Sequence, residues 1–163
     1  MGAIRIKEFM VFFSNLFGRK KSVTFEVPEL GAFEYFKDEV DEYWQIENPV
    51  GKLPEKFDFG AIDGNLNGPR EDALNEFIKL ARKPEVLFTY LNDLFFREIK
   101  PTFGQLSVED VRSKFYLKSL TCSEKGKFEF GFHAIEKDVF VELFFRNGIV
   151  KEVHIDEGCC KYV

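Results

Sequence analysis

The stretch REDALNEFIKLARKPEVLFTYLNDLFFREIK, residues 70–100, decides the fold. In its first half Leu74, Phe77, Ile78 and Ala81 recur at steps of three and four residues, which places side chains on one side of a helix. In its second half Leu87, Tyr90, Leu91, Leu94 and Phe95 repeat the pattern, and Val86, Phe96 and Ile99 widen the stripe. The spacing predicts two amphipathic helices joined at Lys83 and Pro84, the second ended by Lys100 and Pro101. Fully burying one large apolar side chain is worth roughly 1.5–3 kcal/mol, so stripes of this width require a sheet or another helix against them.

Strand-like sequence flanks this pair. Upstream, Ser22 to Val27 alternates and is stopped by Pro28, Leu30-Gly31 reads as a turn, and Ala32 to Phe36 reads as a second strand. Asp38 to Glu42 then leads into Tyr43-Trp44-Gln45-Ile46-Glu47, and another strand is expected from Lys56 to Ile62. Residues 63–69 are rich in turn formers. Downstream, Ser107 with Glu109 and Asp110 starts one short helical turn, and a four-strand meander follows over Lys114–Cys122, Lys127–Ala134, Val139–Arg146 and Ile149–Ile155. Asn147-Gly148 between two apolar alternations is a strong hairpin signal, because both central positions need positive φ. Phe128, Phe130 and Phe132 alternate with Glu129, Gly131 and His133, so one sheet face is core and the other wetter. In the last hairpin apolar and charged residues mix on both faces, and the pattern does not choose the inward one. The order of strands, two helices and strands, with turns too short for parallel crossovers, predicts an α+β fold with a largely antiparallel sheet.

At 163 residues the chain fits one domain over residues 22–163, preceded by a segment of different character, residues 1–21. In that segment Ile6, Phe9, Met10, Phe13, Leu16 and Phe17 share a helical face, and Gly18 with Arg19, Lys20 and Lys21 closes it. About 14 residues fall short of the roughly 20 needed to cross a bilayer, and no small-residue cleavage site follows the apolar run. Two readings stand: residues 4–21 dock on the domain or a second copy of it, or they lie on an anionic membrane surface.

Charge is unevenly placed. Residues 1–21 hold five cations against Glu8, a surplus of four, so the rest of the chain carries −9 where the whole carries −5. An acidic body argues against a nucleic-acid binder, which needs a clustered basic surface, and suits a basic protein partner. The densest acidic run is Asp38, Glu39, Asp41, Glu42 and Glu47, with no cation among them. Its carboxylates, with Tyr43 and Trp44, combine a steering field with aromatic anchors. The candidate partner-binding residues are Asp38, Glu39, Asp41, Glu42 and Trp44. The plainer alternative is a solvated loop with Trp44 turned into the core.

The twenty-one Phe mostly occupy the periodic apolar positions that packing claims. Cys122, Cys159 and Cys160 are too few for a disulfide framework, and a reducing cytoplasm is the simplest home. Motifs for phosphate binding, for a serine nucleophile and for a paired-cysteine zinc site are absent, so no cofactor is expected. The best metal cluster is His154, Asp156, Cys159 and Cys160 with His133, a mixed set without a family spacing. Cys122 or a tail cysteine would need His133 or His154 as a base to act as a nucleophile. A metal-dependent enzyme on the His154 cluster and a membrane-surface protein held by residues 4–21 are the competing classes.

Leu30-Gly31 with Phe33, Tyr43-Trp44, the helical pair, Lys127 to Gly131 and the closing Asn147 to Gly158 together resemble an uncharacterised bacterial α+β domain family with relatives among immunity proteins of polymorphic toxin systems. The resemblance covers most of residues 25–158. It implies a non-catalytic protein that neutralises a cognate toxin, and it carries over no catalytic residue.

Overall fold

The computed structural model describes residues 22–28, 30–47, 58–134 and 136–157. They form a mixed fold of four helices and one large open sheet of nine strands, mostly antiparallel. The strands are β1 (Thr24–Val27), β2 (Gly31–Lys37), β3 (Glu42–Glu47), β4 (Phe59–Asn65), β5 (Gly68–Pro69), β6 (Phe115–Glu124), β7 (Lys127–Ala134), β8 (Val139–Arg146) and β9 (Ile149–Glu157). Their order across the sheet is β1-β2-β3-β4-β6-β7-β8-β9, with β5 paired to the end of β4. The expected segment 1–21, the loop over residues 48–57 and Cys159 and Cys160 lie outside the described residues.

The sheet is mostly antiparallel, as expected, with one parallel pair at its centre. β4 and β6 are parallel, with Phe59 opposite Ser119 and Ile62 opposite Cys122. The turns are indeed too short for crossovers, but the helical stretch itself is the crossover, the dozen or more residues a parallel pair requires. Three helices and a 3-10 segment run between these two strands: α1 (Glu71–Arg82), the 3-10 turn (Pro84–Tyr90), α2 (Asp93–Phe103) and α3 (Val108–Lys114).

Helix α1 starts on Glu71 and Asp72 and ends on Lys79 and Arg82, charges that complement its dipole. It buries Ala73, Phe77, Leu80 and Ala81, so its inward line is turned toward Ala73 and Leu80, and Leu74 and Ile78 are only partly covered. The second expected helix is two pieces. Asn92 breaks it, because its side chain caps α2 by accepting from the Phe95 N–H (3.3 Å), and its amide donates to the Val150 carbonyl (3.4 Å). Pro101 does not end α2, which continues to Phe103. A proline in the last turn deprives one exposed carbonyl of its partner, and Gly104 closes the helix by donating to the Lys100 carbonyl (2.8 Å). Ser107 and Asp110 form a reciprocal capping box at the start of α3.

All of these helices pack on one face of the sheet. Phe77 meets Phe33 edge-on (5.5 Å between centroids), Phe88 stacks on Phe132 (5.3 Å), and Phe103 tilts against Phe115 (5.0 Å). Gly60 permits the approach of α1, since a Cβ there would lie 2.6 Å from the Phe77 ring. The inward face of the last hairpin, undecided by its pattern, is set by a bulge between Phe144 and Phe145: Phe145 faces Val150 and Leu143 faces Val153, so one extra residue in β9 restores the apolar side to the core. Asn147 and Gly148 hold the positive φ values (54° and 72°) expected of that turn. The outer strand β9 exposes Lys151, Glu152, His154 and Asp156, charges that discourage pairing with another edge.

Candidate partner-binding surface

β2 and β3 form a hairpin whose tip is residues 38–41. The Asp38 carboxylate closes it, accepting from the backbone N–H groups of Val40 and Asp41, each at 2.8 Å, while the Asp38 N–H donates to the Asp41 carbonyl at 3.0 Å. The Asp41 and Val40 bonds hold the Asp38 carboxyl below its ordinary range. Glu42 accepts from the Tyr35 hydroxyl at 2.5 Å and lies 3.4 Å from the Lys37 ammonium; the hydroxyl first, then Lys37, holds it in the charged form. Glu39 and Asp41 are exposed, and between them Val40 is 87% exposed. Four carboxylates thus surround one aliphatic tip on a turn that hydrogen bonding keeps in shape.

Trp44 does not belong to that surface. It is 0% exposed, packed against Phe25 (6.1 Å) and Tyr35 (5.4 Å), with its indole N–H donating to the Asn65 carbonyl at 3.0 Å. Strand parity explains the burial. Residues 42, 44 and 46 point to the helix side, and Trp44 lies where that side is already core, so it is a structural anchor of the hairpin and not a contact for a partner. Tyr43, on the opposite face, remains partly exposed, and burial, then Asp38 and Asp41, push its hydroxyl pKa up.

Because Tyr43 of β3 pairs with Asp63 of β4, the β4–β5 turn emerges at the same end of the sheet as the acidic tip. Leu66 stands on it, 56% exposed. An open depression of about 450 Å³ lies between the two turns, lined by Glu42, Asn65, Asn67 and Arg70 together with Gly64, Gly68 and Pro69. Arg70 is occupied by Asp72 (2.6 Å) and Glu124 (3.3 Å), so it does not neutralise the tip. Such an edge offers acceptors to ammonium and guanidinium groups and two aliphatic knobs to an apolar rim.

The sheet face opposite the described helices carries a second acidic feature that sequence reading missed. Asp63 and Glu129 lie on it half-buried, and burial first of all raises both carboxyls; Glu142 and Asp63 add to the rise at Glu129, and Asp41 adds to that at Asp63. The alternation of Glu129 with Phe128 and Phe130 was the available signal. Nearer the other end, His133 holds the Tyr116 hydroxyl at 2.9 Å and Asp138 at 3.0 Å, which ties the β7–β8 turn to the sheet.

Of the residues considered for chemistry, the described ones are not brought together; Cys159 and Cys160 lie outside the described residues. His133 sits on β7 and His154 on β9, with β8 and its Phe140 and Glu142 between them; His154 packs on Phe144 (4.8 Å) and reaches Glu152 at 3.5 Å. Among the described residues no group of three or more His, Cys, Asp or Glu side chains is placed to hold a metal. Cys122 is buried on the helix side, opposite to both imidazoles, and burial drives its thiol pKa far up, the reverse of what a nucleophile needs. Among the described residues no helix is long and apolar enough to cross a membrane. No protein-family model, curated protein or solved structure matches the chain.

Proposed function

We propose that the protein is a non-catalytic binding domain of the bacterial cytoplasm, and in its most concrete form an immunity protein that neutralises a basic toxin through the acidic hairpin. The observation that carries this reading is the hydrogen-bonded tip itself: Asp38, Glu39, Asp41 and Glu42 around the exposed Val40. A cluster of one sign raises the local concentration of an oppositely charged partner and steers its approach, worth roughly 10–10³-fold in association rate at low salt. Val40 and Leu66 then supply apolar contact beside the charges. Occupying the substrate groove of a basic nuclease needs no chemistry from the inhibitor, only surface and charge. The resemblance to families with immunity members points the same way.

The test is capture of the partner, with the product of the adjacent gene as first choice, followed by stopped-flow association against ionic strength. Glu39→Lys with Asp41→Lys is the informative variant, because Asp38 and Glu42 accept hydrogen bonds that shape the hairpin, whereas the side chains of Glu39 and Asp41 project from it. Association should slow about tenfold or more at low salt and lose most of its salt dependence. Unchanged kinetics would remove the hairpin from the interface.

A further inference from the structure

We propose that Phe36, Tyr43 and Asp63, a row across β2, β3 and β4 on the sheet face opposite the described helices, seat an arginine side chain of a basic protein partner. This seat lies beside the acidic hairpin, and it rests on the reading of that hairpin as a contact for such a partner.

Strand register builds the row. Phe36 is the direct partner of Tyr43, and Tyr43 of Asp63, so the three side chains leave one face side by side, with neighbouring strands about 4.8 Å apart. The alternation that turns Phe33 and Trp44 into the core turns Phe36 and Tyr43 away from it. The two rings lie 5.1 Å apart with their planes 33° from parallel, and Phe36 is 39% exposed. A single exposed apolar residue is ordinary. Here the exposed ring is paired with a second one and bordered by carboxylates.

Those carboxylates are Asp38, Asp41 and Asp63. Burial first, then the charges of Asp38 and Asp41, push the Tyr43 hydroxyl up, so both act on that ring from the tip, and Asp41 acts on Asp63 as well. At half-buried Asp63 burial above all raises the carboxyl, and the Ser123 hydroxyl, Lys127 and Arg70 pull it down without offsetting the rise. A carboxylate so placed gains from a cation brought to it. Arg70 is shared with Asp72 and Glu124, and Lys37 belongs to the other face, against Glu42. Among the described residues the cations that sit over rings do so elsewhere: Arg112 on Phe88 at 5.6 Å, Lys118 on Tyr116 at 5.9 Å and Lys137 on Phe103 at 5.4 Å.

Arginine meets these demands with one group. Its planar guanidinium stacks on an aromatic face within about 6 Å of the ring centre and keeps its edge N–H groups free to donate to a carboxylate. Over Tyr43 that edge reaches Asp63 across one strand spacing, about 4.8 Å. A lysine ammonium is a compact, strongly hydrated charge that stacks less well. An anion is repelled by the bordering carboxylates, and a purely apolar segment would bury Asp63 further without pairing it.

The test is a nuclear magnetic resonance titration of the full chain, with isotopically labelled Phe and Tyr rings, against N-acetyl-arginine amide at low salt, and against N-acetyl-lysine amide for comparison. The Phe36 and Tyr43 ring signals should move saturably with the arginine probe, and the lysine probe should bind about threefold or more weakly. Phe36→Ala and Asp63→Asn, each shown to be folded by circular dichroism, should each weaken arginine binding about threefold or more. Ring signals that stay in place, equal binding of the two probes, or unchanged affinity in either variant would overturn the proposal. With the captured partner the row and the hairpin separate: Phe36→Ala should speed dissociation about threefold and leave the salt dependence of association intact, whereas Glu39→Lys with Asp41→Lys slows association. A partner that feels the hairpin variant but dissociates at the natural rate from Phe36→Ala would sink the row and leave the hairpin reading standing.

Discussion

The role of Trp44 can be decided by replacing it with Phe. The substitution removes the indole N–H bond to the Asn65 carbonyl, worth about 1 kcal/mol net. It also removes on the order of 40 Å² of buried apolar ring, about 1 kcal/mol at 25 cal/mol per Å². The sum, about 2 kcal/mol, corresponds to a fall in Tm of roughly 4–8 °C for a chain of this size. Trp44→Ala should cost more, about 3–5 kcal/mol, because the cavity lies among Phe25, Tyr35 and Ile62 and cannot collapse freely. The assay is urea unfolding followed by far-UV circular dichroism, with the slope m checked for constancy. The chain has one tryptophan, so the natural protein offers an independent readout: its emission should resist quenching by iodide until the protein unfolds. An unfolding midpoint equal to that of the natural chain, or free quenching of the folded protein, would refute the assignment of Trp44 to the core. Trp44→Phe should also leave association with a basic partner unchanged once the folded fraction is accounted for.

Gly60→Ala should destabilise by about 1–3 kcal/mol, since its Cβ would sit 2.6 Å from a fully buried Phe77 ring; in denaturant titrations the loss should be partly recovered by combining it with Phe77→Leu. Glu129 has its folded-state pKa raised above the unfolded value, chiefly by burial, so the folded protein binds its proton more tightly, and ionisation above the folded pKa costs stability. Glu129→Gln should therefore be more stable than the natural chain at pH 7, with an advantage that shrinks as pH falls through the folded pKa and vanishes below the ordinary glutamate value of 4.5; a pH-independent difference in urea midpoints would contradict this.

Much of the sheet was legible because strand alternation and turn chemistry are local. Lys127–Ala134 and Val139–Arg146 coincide with the observed strands, and Asn147-Gly148 turns as its φ preference requires. What escaped depends on tertiary context. The split at Asn92 is invisible to periodicity, since the apolar spacing continues through it, and only the Asn92–Val150 bond shows why the chain turns there. The parallel pairing of β4 with β6 joins strands more than fifty residues apart, which no pattern within either strand encodes. In the candidate surface, the carboxylates were readable as an uninterrupted acidic run. The fate of Trp44 was not, because it hangs on which side of β3 receives the helices.

The acidic hairpin offers only part of its charge outward. A charged turn repels itself, and here two of its four carboxylates are already engaged, Asp38 by its own backbone and Glu42 by Tyr35 and Lys37. That leaves Glu39 and Asp41 as the charges offered outward, with Asp63 behind Asp41 adding to the same field. An incidental polycation would meet little more than those two carboxylates, while a partner that also covers Val40 and Leu66 would gain apolar contact beside them. The arrangement thus favours a partner offering both charge and apolar surface over one offering charge alone.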